Sequence, residues 1–117
     1  MKVPYDEALG VRVIKEGPAR TILEMDVDAA WHNPHGSLHG GIVAGLADSA
    51  MGRTVSHAGP CANTDLCVRY LRPVTAGTLR ATSRVLRKGR RTWHMESDVT
   101  DADGELVARA SSTFMLR

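Results

Sequence analysis

Asn33-Pro34-His35-Gly36-Ser37-Leu38-His39-Gly40-Gly41 runs directly into Ile42-Val43-Ala44-Gly45-Leu46-Ala47-Asp48-Ser49-Ala50-Met51-Gly52. The first part holds too much Pro, Gly and Asn for regular structure and reads as a loop. From Gly40 onward apolar residues recur at Ile42, Val43, Leu46, Ala47, Ala50 and Met51, the 3.6-residue period of a helix. The spacing predicts one helix from Gly40 to about His57, stopped by Gly59-Pro60. Its composition is unusual: Gly40, Gly41, Ala44, Gly45, Ala47, Ser49, Ala50 and Gly52 are all small, and Asp48 is the one charged residue between Gly40 and Gly52. Each internal Gly costs about 0.5–1 kcal/mol relative to Ala. A chain tolerates that where the sheet, a second helix or a ligand must approach the backbone closely.

A helix so apolar and small on most faces is expected to be largely buried. Asp48 then stands as a lone carboxylate in apolar surroundings, where desolvation disfavours its charge. Perturbed carboxylates gather at functional sites, although structural ion pairs imitate them. The simpler alternative is that Asp48 reaches solvent or pairs with Arg53. At the helix start, His39-Gly40-Gly41 exposes backbone N–H groups that have no internal partners and carry the positive end of the helix dipole. Such donors suit an oxygen that becomes negative during reaction. Asn33, in the preceding loop, is placed to hold a carbonyl or a water.

Around this helix the chain reads as strands. Leu9 to Lys15 and Thr21 to Val27 alternate in polarity on either side of a turn at Glu16-Gly17-Pro18-Ala19, predicting a hairpin. After the helix, Asp65 to Leu71, Leu79 to Leu86, Trp93 to Val99 and Leu106 to Leu116 read as strands. They are separated by Pro73 and Gly77, by Lys88-Gly89-Arg90, and by Asp101-Ala102-Asp103-Gly104. Two strands, one helix and three or four strands predict an α+β fold in which an antiparallel sheet covers its buried face with the only helix available.

The chain has 117 residues, enough for one core, so residues 1–117 are expected to form a single domain. No apolar run approaches the roughly 18 residues needed to span a bilayer, and the first residues lack the apolar stretch of a signal peptide. A cytoplasmic, membrane-independent protein is therefore expected, with Cys61 and Cys67 as free thiols. The net charge of +2 is too weak to suggest a nucleic-acid partner. Locally, however, Arg84, Arg87, Lys88, Arg90 and Arg91 crowd together beside Gly89. A cluster this short suits a phosphate-bearing small molecule better than a polynucleotide, unless it is merely a solvated hairpin tip.

The pattern N-x5-H-G-G-x6-D, set at a loop-to-helix junction, closely resembles the hotdog-fold acyl-CoA thioesterases of the phenylacetate-degradation type. Thr64-Asp65-Leu66, Tyr70-Leu71-Arg72-Pro73 and Gly77 extend the resemblance, as do Gly89-Arg90-Arg91, Asp103-Gly104 and Leu106-Val107-Ala108, so that it covers residue 8 to the C-terminus. The resemblance implies a hotdog domain that hydrolyses acyl-CoA thioesters without a cofactor. It implies that Asp48 is the general base or nucleophile and that Gly40 donates its N–H to the thioester carbonyl. Asn33 and His39 would position substrate or water, with Gly41 beside them. A polar residue from the strand after the helix should assist, and either Asn63 or Thr64 fits. Arg87, Lys88, Arg90 and Arg91 are candidates for the coenzyme's phosphates.

Eight helical residues at about 1.5 Å each separate Gly40 from Asp48 by roughly 12 Å. An oxyanion donor and a base must both lie within about 3 Å of one reacting group. Two antiparallel helices across a two-fold axis would bring Gly40 of one chain to Asp48 of another. The resemblance likewise implies homodimers with shared sites, and dimers of dimers. Competing readings are a metal site at His32, His35 and His39, disfavoured by Pro34 and Gly36, and a non-catalytic acyl-CoA-binding hotdog protein.

Overall fold

The computed structural model describes all residues, Met1–Arg117. A short helix α1 (Pro4–Ala8) precedes strands β1 (Arg12–Lys15) and β2 (Ile22–Asp26). A one-turn 3-10 helix at Ala29–Trp31 leads into the loop and then the long helix α2 (Gly40–Ser56). Five strands follow: β3 (Cys61–Asn63), β4 (Cys67–Tyr70), β5 (Thr78–Lys88), β6 (Thr92–Thr100) and β7 (Leu106–Leu116). All seven strands form one antiparallel sheet in the order β1-β2-β5-β6-β7, with β3 and β4 lying end to end along β7. The sheet curls around α2, which packs on β2, β3, β5, β6 and β7. No helix is long and apolar enough to cross a membrane.

The expected α+β architecture, a sheet wrapped around one central helix, is what forms. The reason is visible in β6, where every second residue is buried. Trp93, Met95, Ser97 and Val99 face α2, as their alternation predicts. Val43, Leu46, Ala47, Ala50, Met51 and Val55 of α2 meet them from the other side, with Leu23, Met25, Leu79 and Phe114 closing the core. Fully burying one such Leu or Met stabilises the fold by about 1.5–3 kcal/mol.

Three expectations need correction. The strand predicted over Leu9 to Lys15 starts only at Arg12. Leu9 caps α1, Gly10 takes a left-handed φ of 70°, and Val13 is exposed rather than turned inward. The strand expected over Asp65 to Leu71 is β4, and an unexpected strand, β3, precedes it; Asp65 breaks the ladder between them, its carboxylate accepting the N–H of Thr113 and its carbonyl accepting the Ser112 hydroxyl. That makes five strands after the helix, not three or four. Helix α1 shows no apolar period. It is held instead by Asp6, which is buried against α2 and bonded to Ser49 Oγ at 2.6 Å and to Arg53 Nε at 2.9 Å.

A small polar knot ties α2 to the sheet. Thr54 Oγ1 donates to Thr21 Oγ1 at 2.9 Å and lies 2.8 Å from Ser83 Oγ, and all three residues are fully buried. On the outer face of the sheet, Arg12 with Asp26, Arg80 with Glu24, and Arg84 and Arg109 with Asp98 form cross-strand ion pairs. Arg84 thereby leaves the basic cluster to which its position in the sequence assigned it.

Candidate active site

Asp48 projects from the middle of α2, half-buried, toward β3. One of its carboxylate oxygens accepts the side-chain N–H of Asn63 at 2.9 Å. The same Asn63 amide nitrogen lies 3.3 Å from Ser112 Oγ, which is itself bonded to the carbonyl of Asp65 at 2.6 Å. The sheet register thus carries Asn63 to the carboxylate. Thr64, its neighbour, gives both its N–H and its hydroxyl to the carbonyl of Thr113. Between the two residues the sequence leaves open, only Asn63 bonds Asp48.

Burial raises the Asp48 carboxyl above the usual aspartate range; the Asn63 hydrogen bond opposes this, and the nearby negative charge of Asp6 adds to it. Arg53 does not neutralise Asp48. Its guanidinium is taken by Asp6 and Glu16 at 2.9 and 2.6 Å. Asp48 therefore has a neutral donor and no cationic partner, the setting of a carboxylate made more basic by its surroundings. It lies on a cavity of about 210 Å³ whose walls include Val3, Cys61, Ala62 and Phe114.

The head of α2 forms a second, separate cleft of about 450 Å³, bounded by Asn33, Gly40, Gly41 and the segment Tyr70–Pro73. The N–H of Gly40 has no partner in the chain. The N–H of Gly41 is committed, donating to Nδ1 of the capping residue His39 at 3.0 Å. His39 thus works on the backbone, and its Nε2 must carry the ring proton whenever Nδ1 accepts. Asn33 also organises the loop: its side-chain oxygen accepts the N–H groups of His35 and Ser37, and its amide donates to Ser37 Oγ. His32 spends Nε2 on the carbonyl of Thr75, and no three side chains of metal-ligating type gather anywhere in the chain.

The glycines of α2 are explained in part by tyrosines of the same chain, neither of which the sequence marks as a contact of the helix, although Tyr70 lies in the Tyr70-Leu71-Arg72-Pro73 stretch. A Cβ on Gly40 would lie 3.2 Å from the Tyr70 ring, and one on Gly45 would strike the Tyr5 hydroxyl at 2.0 Å. The clue was there, since a helical Gly signals close approach, but the approaching residue lies 30 or more positions away. Arg87, Lys88, Arg90 and Arg91 sit exposed at the β5–β6 turn with no carboxylate partner, and Lys88 lies 4.9 Å from the Trp93 ring centre. Asn63, Phe114, Trp93 and Lys88 form one row across β3, β7, β6 and β5. Three strand spacings of about 4.8 Å put that turn roughly 14 Å along the sheet from Asn63.

Comparison with known proteins points one way. The family described as the acyl-CoA thioesterase N-terminal domain matches residues 27–115. The proofreading thioesterase EntH of Klebsiella pneumoniae is 40% identical over 85 residues, covering 69% of this chain and 62% of that protein. The acyl-coenzyme A thioesterase PaaI of Escherichia coli is 33% identical over 104 residues, covering 87% of this chain and 74% of the relative. The crystal structure of the TT0310 protein from Thermus thermophilus superposes with a TM-score of 0.96 at 32% identity over the full length of both chains.

Proposed function

Because this chain belongs to the acyl-CoA thioesterase family, we propose that it hydrolyses acyl-CoA thioesters to the free acid and coenzyme A. Asp48 is the reacting carboxylate and Gly40 N–H the oxyanion donor, in a site completed by a second copy of the chain. The observation that carries this reading is the separation of the two halves. Asp48 with Asn63 lines one cavity, Gly40 with Asn33 lines another, and neither cavity contains both. One chain offers a base without an oxyanion donor in one place, and a donor without a base in the other.

A second copy placed antiparallel across α2 joins each base to the other chain's donor. The surface beside the two halves supports such contact, since Leu66, Tyr70 and Leu71 are exposed apolar residues on and around the edge strand β4. A homodimer with two composite sites is the minimal assembly, and a dimer of dimers extends it.

In the joined site Asp48 takes a proton from water while the water oxygen attacks the thioester carbonyl carbon. The carbonyl oxygen becomes negative against Gly40 N–H at the positive end of α2. Collapse breaks the C–S bond, and the departing sulfur receives the proton held by Asp48. In the alternative course the Asp48 carboxylate attacks directly, breaking the C–S bond to release the coenzyme A thiolate and form an anhydride; water then opens the anhydride to the free acid and the Asp48 carboxylate, and the proton set free goes to the thiolate. Either way Asn63 holds the carboxylate in place, His39 and Asn33 hold the helix head, and the basic turn of Arg87, Lys88, Arg90 and Arg91 takes the coenzyme's phosphates.

The test is thiol release from a panel of acyl-CoA thioesters with Asp48→Ala as the control. Turnover by the native chain and none by a folded Asp48→Ala chain is the expected result. Equal turnover by both overturns the reading.

A further inference from the structure

The peptide unit between Gly40 and Gly41 is fastened at both ends. Its carbonyl accepts the hydroxyl of Tyr70 at 2.7 Å, and its N–H donates to Nδ1 of His39 at 3.0 Å. Two successive glycines at a helix start are the most freely rotating backbone a chain can place there. The Gly40 N–H belongs to the preceding peptide, whose His39 carbonyl accepts the N–H of Ile42 at 3.0 Å, so the freedom left to its direction lies in the Gly40 dihedrals that join the two peptides. Here the ring of Tyr70 also lies against Gly40, close enough that a Cβ would meet it at 3.2 Å. Tyr70 reaches across from β4, an element otherwise paired only with β7, and lines the same cleft as Gly40 and Asn33.

We infer that Tyr70 is a positioning residue for the oxyanion donor: its hydroxyl and ring, acting with His39, fix the Gly40–Gly41 peptide so that Gly40 N–H points at one place. The inference rests on the proposed role of Gly40 and deepens it. A preorganised donor stabilises developing charge because it need not reorient as the charge forms. Glycine supplies the close approach, and the two side chains remove the freedom that glycine brings. The Tyr70 phenol is an O–H donor at neutral pH, and partial burial shifts its pKa further upward.

Tyr70→Phe keeps the ring on Gly40 and removes only the hydroxyl bond. Its kcat should fall about tenfold, less than the ~10²–10³ loss seen when a donor is removed outright, with KM changed by less than about twofold. A structural role alone would not alter the polarisation of a bound thioester, so the deciding measurement is infrared. Acyl-CoA labelled at the carbonyl carbon is bound to the hydrolytically silenced Asp48→Asn chain, and the C=O stretch is compared with that in solution. A shift to lower frequency that shrinks on adding Tyr70→Phe, or His39→Ala at the other end of the peptide, is the expected result. A full shift unchanged by either substitution overturns the clamp and leaves the donor intact. No shift in Asp48→Asn itself overturns the donor reading from which the clamp follows.

Discussion

The side-chain amide of Asn63 donates to the carboxylate of Asp48 at 2.9 Å, joining the short strand β3 to the middle of α2. That bond favours the ionised form, whereas burial and the charge of Asp6 favour the protonated one, and burial is the largest of the three influences. Asn63→Ala removes the one influence that lowers the Asp48 pKa. The acid limb of the kcat/KM profile, where activity is lost as Asp48 protonates, should move to higher pH. A pH–rate series on both chains checks this, and a limb that stays put or moves down would show that Asn63 does not tune the base.

Asp48→Asn should reduce turnover by about 10²–10⁴-fold, the scale on which general bases contribute. It should also raise thermal stability at neutral pH. The folded carboxyl has a raised pKa, so its contribution to stability is fully present below the unfolded value and is lost as pH rises through the folded value. Replacing the charge with a neutral amide removes that loss. Melting curves at acid and neutral pH should show the variant's advantage growing with pH.

The four unpaired cations at the β5–β6 turn face water, and one of them, Lys88, ends the sheet row that begins at Asn63. Arg90→Ala/Arg91→Ala should raise KM for acyl-CoA several-fold and flatten its dependence on salt, because exposed charge interactions are screened at ionic strengths near 0.1 M and above. The kcat should be little changed. Hydrolysis of a short thioester lacking the nucleotide should be unaffected, which separates phosphate binding from general damage.

Two buried hydroxyls should respond in opposite ways. Ser97 Oγ is buried without any partner, so Ser97→Ala should be neutral or stabilising. Thr54→Val leaves Thr21 and Ser83 short of a partner within the knot and should cost about 1–3 kcal/mol, the desolvation penalty of a stranded polar group. Urea denaturation of the two variants checks both signs.

Legibility varied with the range of the forces involved. Helix α2 was readable because its apolar residues repeat every 3.6 positions, and β6 because burial alternates along its whole length. Helix α1 was not, since what holds Pro4–Ala8 is the buried pair of Asp6 with Arg53, 47 residues apart. The choice between Asn63 and Thr64 needed the β3–β7 register, which places Asn63 opposite Phe114. Arg84 looked like part of a basic cluster, yet its cross-strand neighbours Glu96 and Asp98 draw it onto the outer face of the sheet. The N-x5-H-G-G-x6-D pattern marked Asp48 and the helix head, while the Tyr70 contact on Gly40 arises only once β4 is paired with β7.

Complementation between two differently disabled chains addresses the shared site most directly. Gly40→Pro deletes the oxyanion N–H at the first helical position, where no helical hydrogen bond is lost, and the extended ψ of 133° at His39 suits a following proline; the exposed Tyr70 ring, 3.2 Å from the added Cβ, must shift by a few tenths of an ångström to admit it. Differently tagged Asp48→Asn and Gly40→Pro chains are co-expressed, and the mixed dimer is isolated through both tags. One of its two sites then joins an intact Asp48 to an intact Gly40, so activity should return to about half that of the native dimer, while each parent homodimer stays inactive. A mixed dimer as inactive as its parents would contradict a site built from two chains.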